Sequence, residues 1–215
     1  LTELKLRMYV PEPFVESDEN AVKQVIQSAP LACIVANTAQ GLIANHIPLT
    51  FDRNGTLIGH VAMNNDMHRL IEADTEVLAI FRASDAYISP NDYPTKQTHH
   101  MHVPTWNYQV VHVYGTIRFF HDKKTKQAAV GLLTHLNERE VNGPSAWRMA
   151  DAPSHFLEDK LENIVAFQLT PTRIIGKSKL SQNRELVDVK GAIAGTKNRG
   201  KIVIASKMED ALQKR

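Results

Sequence analysis

Val103-Pro104-Thr105-Trp106-Asn107-Tyr108-Gln109-Val110-Val111-His112-Val113-Tyr114-Gly115 is the stretch on which the reading of this chain turns. With a period of two it places Val111, Val113, Ile117 and Phe119 on one face of a strand, and Trp106, Tyr108, His112 and Tyr114 on the other. The first face is core. The second carries flat rings with polar handles, which suits a planar ligand or a subunit interface. A sheet with two buried faces would use the same pattern. The strand spans residues 105–120 and is the longest in the chain. It is too apolar on both sides for one barrel core, so a homodimer whose interface includes part of the Trp106, Tyr108, His112 face is expected.

Working outward, Ser17 and Asp18 start a helix with Val22, Val25, Ile26 and Ala29 at helical spacing, and Pro30 stops it. Residues 31–36 form a short strand and residues 42–51 its return. Pro48 cannot donate to a ladder, which puts that return at an edge or a bulge. Residues 57–62 give a third strand. Asn65 or Asp66 caps a short helix through Ile71, and residues 76–82, apolar on both faces, form a central fourth strand. Residues 84–102, with Pro90 and Pro94, read as a long irregular segment, functional or mobile. A helix over 125–139 buries Ala129, Leu132, Leu133 and Leu136. Asp151-Ala152-Pro153 starts another with Phe156, Leu157 and Leu161 on one face. Residues 164–170 form a sixth strand. The tail is helical in two pieces, the last one opened by a capping box of Ser206 and Glu209. Short strands with a few interposed helices indicate a mainly β, α+β fold: an antiparallel barrel with helices outside. Strict strand–helix alternation is absent, which excludes a doubly wound parallel sheet.

The net charge of +2 does not announce nucleic-acid binding, but it is unevenly placed. Residues 1–172 carry 14 Lys and Arg against 19 Asp and Glu, net −5; residues 173–215 carry 11 against 4, net +7. We divide the chain accordingly into a barrel domain with inserted helices, 1–172, and a basic extension, 173–215, packed on the barrel or on a dimer partner. The candidate partners are a second copy of the chain and, through the tail residues Lys197, Arg199 and Lys201, DNA or a regulatory protein. Cys33 is the only cysteine, so no intrachain disulfide forms. It reads as a buried structural thiol. No apolar run reaches membrane-spanning length and no secretory signal is visible, which fits a cytoplasmic protein without a membrane partner.

The common nucleotide and hydrolase fingerprints are missing, and no catalytic residue can be named. His46, His60 and His112 lie on strands opposite the aliphatic rows, where an imidazole can bond a ligand carbonyl or, protonated, a phosphate. A hydrogen-bonded core or interface histidine is the plainer reading. His99, His100 and His102 crowd one loop, but adjacent histidines rarely converge on one metal, and no metal site is expected. Lys177-Ser178-Lys179-Leu180-Ser181-Gln182-Asn183-Arg184 gathers donors and amides near a strand end, which suits an anion or the polar edge of a heterocycle.

Six motifs occur in order: Met8-Tyr9-Val10-Pro11, Ala44-Asn45-His46-Ile47-Pro48-Leu49, Gly59-His60-Val61-Ala62, Ala86-Tyr87-Ile88-Ser89-Pro90, Val103-Pro104-Thr105-Trp106-Asn107-Tyr108 and Lys179-Leu180-Ser181-Gln182-Asn183-Arg184. Together they resemble the PaiB family of FMN-binding negative transcriptional regulators, from about Met8 to about Gly195. The resemblance implies a flavin-reductase-like split β-barrel, a homodimer with ligand sites between subunits, and FMN as cofactor. It raises His46 and His60, which lie inside matching motifs. Residue chemistry and the resemblance together assign Lys96, Arg69 and Asn65 to phosphate, Trp106 to packing on the ring, and Asn45, Asn107 and Gln182 to the ring's polar edge. Lys179 and Asn183 complete the set. Two departures stand out. Ser178 replaces a frequent aromatic, and Asp66-Met67-His68 replaces a Pro-x-Trp, placing a carboxylate where it repels phosphate. Three functions stay open: a PaiB-like regulator that senses a planar ligand, an FMN-dependent oxidoreductase, and a haem-binding split barrel.

Overall fold

Period-two alternation carries one strand from Thr105 to Phe120 (β7), and it is matched in length by Ile164–Lys179 (β8). The structure is a computed structural model and describes residues 8–214. The other strands are β1 (Val15–Glu16), β2 (Leu31–Thr38), β3 (Gly41–Pro48), β4 (Thr50–Phe51), β5 (Leu57–Ala62) and β6 (Thr75–Ile88). The helices are α1 (Glu19–Ser28), α2 (Met67–Leu70), α3 (Lys96–His99), α4 (Lys123–Asn142), α5 (Ser154–Glu162), α6 (Leu186–Asn198) and α7 (Ile202–Gln213). The strand order is β3-β2-β6-β7-β8-β5-β4, with β1 on β8, and every pair with a defined register is antiparallel. The fold is therefore mainly antiparallel β with flanking helices. Among the described residues no helix is long and apolar enough to cross a membrane.

The chain divides into two compact units. The central unit holds residues 29–81 and 112–174. Its β2–β3 hairpin runs from Leu31 opposite Pro48 to Thr38 opposite Gly41, and Gly41 takes φ +104° at the turn. β3 ends the strand order, so the missing N–H of Pro48 disturbs no central ladder. β5 pairs with β8 along its whole length, Leu57 opposite Leu169 to Ala62 opposite Ile164. Alternate residues from these strands, Ile34, Leu57, Phe81, Val113, Ile117, Phe167 and Leu169 among them, are buried. Each such side chain contributes about 1.5–3 kcal/mol. Asp122 caps α4 by accepting from the Thr125 N–H at 2.9 Å, and Ala129 of that helix packs on Ile58 and Ala166. Cys33 is half-buried rather than fully buried, because it points to the face of β2 opposite that of Ala32 and Ile34.

The terminal unit holds residues 8–28, 82–111 and 175–214. Its core joins Ala86 and Ile88 of β6 to Tyr93, Leu180, and Val189, Ala192, Ile193, Ile204 and Met208 of α6 and α7. The sequence ends β6 at Arg82 and β8 at Thr170, but both strands continue. Their later residues alternate and pair here, although polar side chains mask the pattern. Residues 89–104 are built rather than loose. Ser89 caps a 3-10 turn at Pro90–Asp92, and α3 follows. The Asp188 carboxylate, 2% exposed, accepts from the Thr95 N–H at 3.1 Å and from its hydroxyl at 2.7 Å. Asp92 accepts two bonds from Arg199, at 3.0 and 2.7 Å. Ser206 lies inside α7, which starts at Ile202 after Gly200 turns the chain with φ +74°.

Gly195 of α6 permits one of these approaches. A Cβ there would sit 2.2 Å from the Asp92 Oδ1 atom that binds Arg199. We expect Gly195→Ala to lower stability by about 1–3 kcal/mol in urea unfolding, the usual cost of overpacking. Gly131→Ala in α4, where the nearest atom is the Met149 sulfur at 3.6 Å, should be neutral or stabilising. Equal effects of the two changes would show that Asp92 is not tightly held.

Candidate functional site

The terminal unit presents an open aromatic face. Period two puts Trp106 and Tyr108 on one side of β7, with Asn107 and Gln109 on the other. Trp106 is 51% exposed, and its ring meets that of Tyr87 edge-on at 5.9 Å. Arg82, Asp85, Trp106 and Tyr108 line a cleft of about 370 Å³. Arg82 and Asp85 pair across its wall. Lys177 and Lys179 reach the same face from β8. The Lys177 ammonium lies 5.3 Å from the centre of the Tyr108 ring and donates to the Tyr9 carbonyl at 2.9 Å. Lys179 donates to the Thr105 hydroxyl at 2.5 Å. Burial first, then the Lys177 and Arg184 charges, pulls Lys179 below its ordinary value, while Tyr108 acts in the opposite direction.

On the reverse side of these strands the polar residues are engaged internally. Asn107 is 0% exposed; its amide donates to the Ser181 hydroxyl at 2.8 Å and to the Met208 sulfur at 3.4 Å. Gln109 donates to the Ser178 hydroxyl at 3.0 Å, which in turn donates to Glu16 at 3.0 Å. Gln182 folds back on its own turn, accepting from the Leu180 N–H and donating to the Ser178 carbonyl, both at 2.6 Å. Ser181 holds φ +68° in that turn, and Asn183 is exposed just beyond it. Lys96 is bonded to Asn91.

His102 sits within the terminal unit instead of in a solvated loop. Its Nε2 is 2.7 Å from the Thr95 hydroxyl oxygen and 3.6 Å from Asp188. The hydroxyl has one proton, which goes to Asp188, so Nε2 must donate to the hydroxyl oxygen. The His102 Nδ1 is buried without a partner among the described residues. No group of three metal-ligating side chains is found among them.

The remaining sequence candidates lie in the central unit. Asn45 of β3 accepts from the Asn65 amide at 3.0 Å, and Asn65 accepts from the Met67 N–H at 2.9 Å, closing a turn at the start of α2, whose N-cap Asp66 makes no side-chain capping bond. Arg69 pairs with Asp66 at 2.9 Å and donates to the Met63 carbonyl at 3.3 Å. Thus the carboxylate expected to repel phosphate is neutralised by the cation expected to bind it. His46 is exposed, opposite Cys33 on β2. His60, opposite Ala166, is half-buried, and its Nδ1 lacks a partner among the described residues.

The structure thus groups Trp106 with Lys179 in one unit and pairs Asn45 with Asn65 in the other. Sequence reasoning missed Arg82 and Asp85, and it noted Lys177 in the donor run without assigning it to the site. The signal for Lys177 was its two-residue spacing from Lys179, which would have counted had β8 been read to its end.

The family described as "Putative FMN-binding domain" matches residues 8–173. "Protease synthase and sporulation protein PAI 2" of Bacillus subtilis (strain 168) is 30% identical over 213 residues, 96% of this chain and 99% of that protein. The chain belongs to the PaiB-type FMN-binding family. Another relative of this PaiB-type protein, an uncharacterized protein of Emericella nidulans, is 30% identical over 90% of this chain and 92% of its own. Solved structures resemble it at lower identity. The FAD and heme binding protein from Mycobacterium smegmatis superimposes with a TM-score of 0.55 at 15% identity, covering 76% of this chain and 72% of that one. The flavocytochrome Anf3 from Azotobacter vinelandii gives 0.53 at 13%, covering 77% and 69%. At these identities the likeness is one of fold, the split β-barrel that the sequence motifs implied. The family match ends before Lys177, so the cationic strand end lies outside the matched span of the PaiB-type domain.

Burial of His60 gives this unit a pH dependence. Burial lowers its imidazole below the ordinary 6.5. The unfolded chain therefore binds more protons than the folded one as pH falls below 6.5, and stability present above that value is lost below it. We expect the melting temperature to fall less between about pH 7.5 and about pH 5 in His60→Gln than in the parent. Identical pH slopes would show that His60 is as solvated in the fold as in the unfolded chain.

Proposed function

We propose that this PaiB-type protein is a transcriptional regulator that binds FMN on the Trp106–Tyr108 face, with a second copy of the chain covering the ligand. The observation that carries the reading is the exposed aromatic cleft. A sheet face normally hides a tryptophan, yet Trp106 stays half-exposed beside Tyr87 and Tyr108. Exposed aromatic and apolar groups of this kind mark binding surfaces. The cleft volume, about 370 Å³, lies within the usual range for small-molecule sites.

The residues present fit the cofactor. Trp106 and Tyr108 offer flat apolar contact, Arg82 lies at the wall, and Lys177 and Lys179 supply positive charge on the same face. Bound FMN would supply a planar ring that changes redox state; the chain's part is to hold it and to translate occupancy into the state of the dimer. The exposed Tyr9, Met101 and Val103 support a subunit interface in the same unit. Regulation through a protein partner fits the tail better than direct DNA contact, because Lys197 is paired with Glu209 at 2.7 Å and Arg199 with Asp92.

A visible absorption spectrum of the purified protein should show flavin bands, or acquire them on adding FMN. Trp106→Ala should weaken FMN binding by about 1 kcal/mol or more, about five-fold, from lost ring contact alone. Unchanged affinity in Trp106→Ala would move the flavin off this face.

A further inference from the structure

Part of the C-terminal excess of positive charge is answered by carboxylates. In the tail helices, Lys197 pairs with Glu209, Arg199 with Asp92, Lys207 with Asp210 at 3.7 Å and Lys214 with Asp18 at 3.8 Å. Lys177 and Lys179 differ. Both project from one face of the end of β8, yet neither has a carboxylate within ion-pair distance among the described residues. Their ammonium groups meet a carbonyl, a hydroxyl and three rings: Lys177 lies 5.5 Å from the Tyr9 ring and 5.3 Å from Tyr108, and Lys179 lies 5.9 Å from Phe14.

The nearest acid on the neighbouring strand is turned away. In β1, Val15 stands opposite Lys177 and Glu16 opposite Gly176, so alternation sends Glu16 to the reverse face. There its carboxylate accepts from the Ser178 hydroxyl and from the Asp18 N–H at 3.2 Å. Lys177 is only 8% exposed and Lys179 is half-buried. An ammonium partly withdrawn from water with no carboxylate beside it carries a desolvation cost, and at Lys179 burial lowers the pKa. Tyr108 connects the pair to the cleft, since its ring both faces Lys177 and lines the cavity with Trp106.

We propose that Lys177 and Lys179 form a receptor for a phosphate-class dianion, and that the anion supplies the missing counter-charge of this sheet face. A phosphate ester carried by a flat ligand in the cleft and free inorganic phosphate are the two sources of that chemistry. The receptor rests on the flavin reading only for the first source.

Three probes separate the possibilities: inorganic phosphate, riboflavin and FMN, the last two differing by the phosphate alone. In the parent protein FMN should bind at least about ten-fold more tightly than riboflavin, about 1.4 kcal/mol. Inorganic phosphate should raise the melting temperature. Both effects should disappear in Lys177→Gln/Lys179→Gln. Lys179→Gln alone, which gives up one hydroxyl partner and the contact with the Phe14 ring, guards against a double variant that fails to fold. Without any anion it should melt no earlier than the parent, since it removes an uncompensated charge; with phosphate it should gain less. Equal binding of FMN and riboflavin, with no phosphate effect on melting, overturns the receptor and leaves the flavin reading intact. A phosphate effect that the substitutions abolish, with neither flavin bound, retains the receptor and removes the flavin. A phosphate effect that survives the substitutions overturns the receptor.

Discussion

β6, β7 and β8, at 14, 16 and 16 residues, are more than twice the usual strand length, and the rest of the structure depends on their continuity. Each contributes one portion to the central unit and one to the terminal unit. Within each portion the side-chain period of two assigns alternate residues to opposite faces. In the central unit the odd positions of β7, Val113 and Ile117, are core. In the terminal unit the odd positions Asn107 and Gln109 are buried as well, and their amides must find partners inside the protein. The even positions Trp106 and Tyr108 are left on the open face by the same rule.

That parity separates two kinds of polar residue that the sequence alone treats alike. Asn107, Gln182 and Asn65 are amides suited to a heterocycle's edge, but each is engaged in holding its own neighbourhood: a buried contact to Ser181, a turn, the turn that opens α2. Lys177 and Lys179, by contrast, are cations that meet a carbonyl, a hydroxyl and aromatic rings but no carboxylate among the described residues. The amide donors stabilise the fold whether or not a ligand arrives, although the Asn107 Oδ1 is buried without a partner among the described residues. An uncompensated ammonium is stabilised chiefly by what binds to it.

Much of the fold was legible because it rests on local chemistry. The Gly41 turn, the edge position of Pro48, the apolar run at residues 31–36 and the burial of Ala129 and Leu133 in α4 follow from alternation, backbone freedom and helical spacing, whereas Leu136, expected on the same stripe, is exposed. What was not legible depends on tertiary partners. Residues 84–88 look polar, yet β6 continues through Ser84 and Asp85 while Ala86 and Ile88 reach a core supplied by α6 and α7. Residues 89–102 look loose because nothing nearby in sequence announces that Asp188 and Arg199 will bind them. Ser206 and Glu209 imitate a capping box inside a helix that starts four residues earlier. For the site, Trp106 and Lys179 were visible as chemistry, but the inward turn of Asn107 and the placement of Lys177 required the ends of the strands.

The ties between residues 89–102 and the tail helices make the C-terminal segment part of the scaffold behind the aromatic face. Asp188 holds Thr95, Arg199 holds Asp92, and the chain from there runs through Val103 and Pro104 into Trp106. A protease that nicks α6, or a fusion partner that pries α7 loose, would release the anchor of a segment that enters the cleft. The tail is thus a poor place to add a tag, and its integrity sets how rigidly the tryptophan is presented.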